Sequence, residues 1–179
     1  GETAHELQKE RGMSSGFLSS KGSKFADSLP GQRKQSDIVI SRLTESIRRI
    51  DPSSVGPRYI KLLEGIDGPL AEVTKKREQI SRLSLEPAES FRFYSETISQ
   101  LVEVSARTGN QIPSSKLSRL SNAKQALLFL KERNGQERAL VTDGFSAGLL
   151  TPAQFTTFQG LLNDQATYLR TTITYASPE

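Results

Sequence analysis

The chain has 179 residues, and its 24 Lys and Arg against 20 Asp and Glu leave a formal charge of +4. That excess is spread evenly, with 15 basic and 13 acidic residues in 1–90 and 9 and 7 in 91–179. Without a basic arm, or stacking aromatics beside Arg48-Arg49 and Lys75-Lys76-Arg77, nucleic-acid binding is disfavoured and those runs read as solvated helix faces. There is no cysteine for a disulfide or thiolate, His5 alone builds neither a metal site nor a Ser-His-Asp triad, and no run reaches the roughly 18 apolar residues of a membrane span.

The length suits one domain with a real core, or two small helical bundles that share long helices. No nucleophile–base constellation, phosphate loop or cofactor motif appears, so the expected role is non-catalytic, without cofactor or metal. β-Branched residues never alternate with polar ones over a useful length, and helix period dominates throughout. The expectation is an all-α fold of up-and-down antiparallel bundles, built from about six helices, some long and kinked.

In chain order, a first helix spans about Glu2 to Leu18 and ends around Lys21-Gly22, with the glycine in a C-terminal role. A second begins near Ser23, is interrupted or kinked at Pro30-Gly31, and continues through Ile40, Leu43, Ile47 and Ile50 to a turn at Asp51-Pro52-Ser53-Ser54. A third carries Tyr59, Leu63, Ile66, Leu70, Val73, Arg77 and Ile80 at alternating four-and-three spacing, with a kink expected at Gly68-Pro69. Glu86-Pro87 opens a fourth through Phe91, Tyr94, Ile98 and Leu101, closed by Gly109-Asn110. Ile112-Pro113-Ser114 introduces a fifth, from about Ser115 to Gly144, with Leu117, Leu120, Leu127 and Leu130 inward. Thr151-Pro152 starts the sixth, carrying Phe155, Phe158, Leu162, Gln165 and Leu169. Ser177-Pro178 reads as a further helix start, which makes the chain look truncated at its C-terminal end.

Two distant stretches carry the chemistry. In the first, Ala4, Leu7, Arg11, Ser14 and Leu18 follow helical spacing, and in the second Leu127, Leu130, Asn134, Arg138, Val141 and Phe145 do the same. Each puts an arginine on an apolar stripe that supplies no carboxylate of its own. Each Arg-bearing helix is followed by a glycine-containing turn and a further helix entered through a phenylalanine. Phe25 and Gln35 are ten residues apart, as are Phe155 and Gln165, which makes a weak internal repeat. If the helices lie side by side, Arg11 and Arg138 converge on one small planar oxyanion, since guanidinium forks match it in bidentate fashion. Ser14, Ser15 and Thr142, within one turn, are candidate hydroxyl donors, although such groups more often bond a backbone carbonyl. Arg77 shows that an arginine on a stripe is not diagnostic, because it can snorkel or pair with an acid of another helix.

The stretch His5-Glu6-Leu7-Gln8-Lys9-Glu10-Arg11-Gly12-Met13-Ser14-Ser15-Gly16-Phe17-Leu18 resembles the opening helix of nitrate- and nitrite-sensing (NIT) domains. Ser20-Lys21-Gly22-Ser23-Lys24-Phe25 and Leu29-Pro30-Gly31-Gln32-Arg33 resemble the family's next segment. Glu137-Arg138-Ala139-Leu140, Phe145 and Thr151-Pro152-Ala153-Gln154-Phe155 resemble its later half. The resemblance covers residues 4–51 and 127–179, while the middle is only generically helical. It implies a single sensor domain over residues 1–179 of a bacterial signalling protein, a chemoreceptor above all. Arg11 and Arg138 would then recognise nitrate or nitrite, and a homodimer would face the periplasm, anchored by membrane helices outside this chain; a cytoplasmic setting is the alternative.

Two other readings stay open. One is a structural or interaction bundle in which Arg11 and Arg138 pair with acids such as Asp37 or Asp164, and need no ligand. The other keeps the sensor but changes the ligand, to a carboxylate or another small anion. Removing a sensor arginine is expected to change the stability of the empty protein little, whereas breaking a buried pair costs about 3–5 kcal/mol.

Overall fold

The computed structural model describes residues 1–109 and 115–176, apart from the side chains of 107–109, 115, 143 and 145–147. Six α-helices follow in order: α1 (Glu2–Ser19), α2 (Leu29–Arg48), α3 (Pro57–Ser81), α4 (Pro87–Gly109), α5 (Ser115–Ala147) and α6 (Pro152–Ala176), with a 3₁₀ turn at Pro52–Ser54 before α3. No strand occurs among the described residues, and the all-helical architecture matches the expectation from period. The chain divides into two compact units, Gly1–Val104 and Ser105–Glu179, and α4 runs through the division.

In the first unit the stripe of α3 is buried as its spacing predicts: Tyr59, Leu63, Ile66, Leu70, Val73 and Ile80 are in the core, with Arg77 among them. Tyr94, Ile98 and Leu101 of α4 and Ala4, Leu7 and Leu18 of α1 join them. α1 and α2 form an antiparallel hairpin. Thr3 donates to the Val39 carbonyl at 3.3 Å, and further along α1 Gln32 donates to both the carbonyl and the carboxylate of Glu6, at 3.1 and 2.9 Å. Gln32 and Lys9 together hold the Glu6 carboxyl below its ordinary range.

The start of α2 and the end of α1 differ from the sequence expectation. α2 starts at Leu29, with Pro30 in its first turn, so the proline opens the helix and does not kink it. α1 and α3 both end in Schellman turns whose left-handed position is taken by Lys21 (φ 53°) and Leu83 (φ 55°), residues that occupy that region less readily than glycine. Gly22, placed in that role by sequence, follows one residue later at φ 87°. α3 is continuous through Pro69, which takes one N–H out of the helical ladder.

Gly16 on α1 is a contact point: a Cβ there would collide with the ring of Phe25, which reaches it from the loop at φ 62°. In the second unit Gly144 receives Leu150 in the same way. The repeat read from the sequence is not kept residue for residue, because Phe155, the counterpart of Phe25, is exposed and Leu150 stands against Gly144. Gln35, its expected counterpart of Gln165, is exposed, and Gln32 makes the α2 contact.

α5 and α6 form the second hairpin. Phe129 stacks on Tyr168 at 5.1 Å, Arg133 pairs with Asp164 at 2.8 Å, and Gln165 donates to Glu137 at 2.6 Å. Thr151 and Gln154 exchange reciprocal bonds at the start of α6, a capping box that agrees with the predicted start. The stripe facing α6 is therefore Phe129, Arg133 and Glu137. Leu117, Leu120 and Leu127, expected inward, are exposed, as are Phe155, Leu162 and Leu169 of α6, where Leu161 is the buried residue. The expected features at Ile112-Pro113-Ser114 and Ser177-Pro178, and the side chain of Phe145, lie outside the described residues.

Candidate functional site

Arg11 lies in the first unit on the buried face of α1, only 4 % exposed. One residue before it, Glu10 is fully buried and takes a two-point ion pair from Arg77 of α3, Nε to Oε1 at 2.7 Å and Nη2 to Oε2 at 2.9 Å. The Tyr94 hydroxyl of α4 donates to the same Oε1 at 2.7 Å, and Arg77 reaches on to Asp37 of α2. Burial alone raises a carboxyl pKa, but the guanidinium of Arg77 and the surrounding hydroxyls outweigh it and hold Glu10 below the carboxylate range. Burial works against the Arg77 charge too, yet Glu10 and Asp37 keep it protonated more firmly than a free arginine. Burial, followed by the Glu10 charge, pushes the Tyr94 phenol upward. Arg33 of α2 caps this network, donating to Ser81 at 2.8 Å and to the Arg77 carbonyl at 3.3 Å.

This ion-pair network fixes how α1 is turned about its axis. With Glu10 directed to Arg77 and Tyr94, Arg11 is carried about 100° further round and meets the next residue of α4. Its Nη1 donates to Ser95 Oγ at 2.7 Å, and its guanidinium carbon sits 4.5 Å from the centroid of the Phe91 ring. Consecutive residues of α1 are thus bonded to consecutive residues of α4. Arg11 has a further interaction besides these two. One turn along, Ser14 is fully buried with its hydroxyl beside that of Tyr94, and Ser15 is half-buried with no hydrogen-bond partner for its hydroxyl among the described residues.

In the second unit Arg138 is exposed, contrary to the expectation of an inward position. The reason is phase: α5 meets α6 through Phe129, Arg133 and Glu137, and Arg138 stands one residue, about 100°, beyond that stripe. It makes no side-chain ion pair among the described residues. Thr142 is exposed, and its hydroxyl donates to the Arg138 carbonyl at 2.7 Å, the ordinary backbone bond of a helical threonine.

The acids weighed as partners for the two arginines are engaged elsewhere. Asp37 is held by Arg77 and Asp164 by Arg133. Three residues around Arg11 were given no part in the site by sequence: Glu10, Ser95, and Phe91, which was placed on the fourth helix but not against Arg11. The pointer to Glu10 was present, because an inward Arg77 and an inward Tyr94 hydroxyl both require a buried acceptor.

The arrangement around Arg11 is a buried cation with the Ser14 and Ser15 hydroxyls one turn along, in an all-helical fold. The family model described as nitrate and nitrite sensing matches residues 2–179, and the chain belongs to this NIT family. Among solved structures, that of the NasR transcription antiterminator superposes with a TM-score of 0.92 at 20 % sequence identity. The match covers 99 % of this chain and 48 % of that one, so this chain spans about half its length. No curated protein matches the chain.

Proposed function

We propose that this chain is the ligand-binding module of a bacterial signalling protein, recognising nitrate or nitrite through Arg11 and Arg138. Membership of a nitrate and nitrite sensing family across residues 2–179, with Arg11 buried on α1 of that fold, is the observation that carries the reading. The buried hydroxyls of Ser14 and Ser15, three and four residues beyond Arg11, are suited to donate to the same oxyanion. Arg138 and Thr142, both exposed on α5 of the second unit, complete the residues of the proposal. Catalysis has no part in the proposal.

Binding acts as a signal only where the anion favours one arrangement of the helices over another. The elements suited to carry that difference are α1 and α4, keyed to each other at Glu10–Tyr94 and Arg11–Ser95. A shift of about 1–2 Å in one helix past another is a familiar output of such modules. We assign the module to a homodimeric receptor, a chemoreceptor sensing on the periplasmic side. No helix among the described residues is long and apolar enough to cross a membrane, so membrane attachment in this proposal belongs to segments outside them. A cytoplasmic setting is the competing placement, and the resemblance to a transcription antiterminator fits it.

Thermal melting in nitrate, nitrite, formate and chloride at matched ionic strength tests the ligand. Selective stabilisation that grows with nitrate or nitrite concentration is expected, following the logarithmic dependence on ligand over Kd. Equal melting in all four salts contradicts the proposal, and selective stabilisation by formate transfers the site to carboxylates.

A further inference from the structure

The contacts of Arg11 with α4 go beyond the recognition of an anion by an arginine. Ser95 and Phe91 are four residues apart on one face of α4. The Ser95 hydroxyl donates to the Phe91 carbonyl at 2.8 Å, which directs its proton along the helix and leaves its lone pairs toward Arg11. Nη1 of Arg11 uses that acceptor at 2.7 Å, while the Phe91 ring sits over the guanidinium carbon at 4.5 Å. One contact fixes an edge of the guanidinium and the other covers a face. The α4 turn therefore restrains both the direction of the fork and the tilt of its plane.

A planar trigonal oxyanion is recognised best by two parallel N–H bonds in the plane of the guanidinium. Its affinity depends on where that plane points, whereas a tetrahedral monoanion presents oxygens in several directions. We infer that Ser95 and Phe91 are positioning residues for Arg11, setting the plane of its guanidinium so that the site prefers a planar oxyanion to a tetrahedral one of equal charge. This inference rests on the nitrate-sensing reading and adds to it two residues of α4 and a source of selectivity. Ser95 acts through Arg11, and Phe91 does so by cation–π contact.

The test titrates the full chain with nitrate and with perchlorate, a tetrahedral monoanion, in wild type, Ser95→Ala, Ser95→Thr and Phe91→Leu. Ser95→Ala removes the acceptor, Ser95→Thr retains it, and Phe91→Leu keeps apolar bulk without the ring. The expected result is a loss of nitrate affinity of about threefold to tenfold in Ser95→Ala and Phe91→Leu, the scale of one modest interaction. The preference for nitrate over perchlorate narrows in both, and Ser95→Thr restores it. A purely structural role predicts a different pattern, a lower melting temperature of the empty protein with the nitrate-to-perchlorate ratio unchanged. That pattern, or nitrate affinity within twofold of wild type in both variants, overturns the inference; if Ser95→Ala fails to fold, Phe91→Leu decides. Absence of nitrate binding in the wild type overturns the function itself and this inference with it, whereas binding with an unaltered ratio overturns the inference alone.

Discussion

Glu10 of α1 and Arg77 of α3 meet in a two-point ion pair in which the Glu10 side chain is wholly buried and Arg77 is 11 % exposed. Truncating Arg77 removes both points of the ion pair and leaves a buried carboxylate. Arg77→Ala is therefore expected to lower stability by about 3–5 kcal/mol, the range for breaking a buried pair from one side. Urea denaturation measures it, and a loss below about 1 kcal/mol contradicts the role given to this pair.

The same pair sets a pH dependence. The folded-state pKa of Glu10 lies below its ordinary value of 4.5, so the unfolded chain takes up the proton first as the solution is acidified. Its contribution is fully present above about pH 4.5 and is lost as pH falls below that toward the folded-state value. Melting temperature followed from pH 7 to pH 3 is expected to fall in this window, and Glu10→Gln, less stable at neutral pH, is expected to show a shallower fall. An equally steep fall in Glu10→Gln assigns the acid sensitivity to other carboxylates.

The seat between Gly16 and Phe25 gives a packing test. A methyl at Gly16 collides with the Phe25 ring, and that ring belongs to a residue held at positive φ. Gly16→Ala is expected to destabilise by about 1–3 kcal/mol, as overpacking does. Gly12→Ala, on the same helix with open space around it, is the control and is expected to stabilise slightly through helix propensity. Equal effects at the two glycines contradict the seat.

The two signature arginines differ in surroundings. Arg138 is exposed, so Arg138→Ala is expected to change the stability of the empty protein by no more than about 0.5 kcal/mol. Arg11 is buried and bonded, so its truncation is expected to cost about 1.5–3 kcal/mol, the scale of a hydrogen bond to a charged group. The simple rule that a sensor arginine is neutral for stability when the site is empty therefore applies to Arg138 and not to Arg11. Chemical denaturation of both variants in nitrate-free buffer checks the contrast.

These differences show what the chain reveals before folding. The stripe of α3 was legible because its apolar residues recur at one helical period with polar residues between them, which leaves a single face to bury. The phase of α5 and α6 was not. α6 has apolar residues on several faces, Phe155, Phe158, Leu161, Leu162, Tyr168 and Leu169, so period alone does not say which side meets α5. In α5 the contacts fell on Phe129, Arg133 and Glu137, the last two polar positions that a search for apolar stripes passes over. The start of α2 was misplaced because Pro30 admits two readings, a break within a helix or a first-turn proline, and the loop from Ser20 to Ser28 decides between them. At the candidate site, Arg11 was legible from motif and spacing together. Its partners Ser95 and Phe91 lie eighty or more residues away, and only tertiary structure brings them to it.

The central claim is that Arg11 and Arg138 make this chain a receptor for nitrate or nitrite. Calorimetric titration of both anions into wild type, Arg11→Lys and Arg138→Lys is its most direct measurement, because lysine keeps the charge and loses the planar fork. Saturable binding by the wild type, weakened at least tenfold in each variant, is the predicted result. A silent wild type, or variants that bind as the wild type does, contradicts the account.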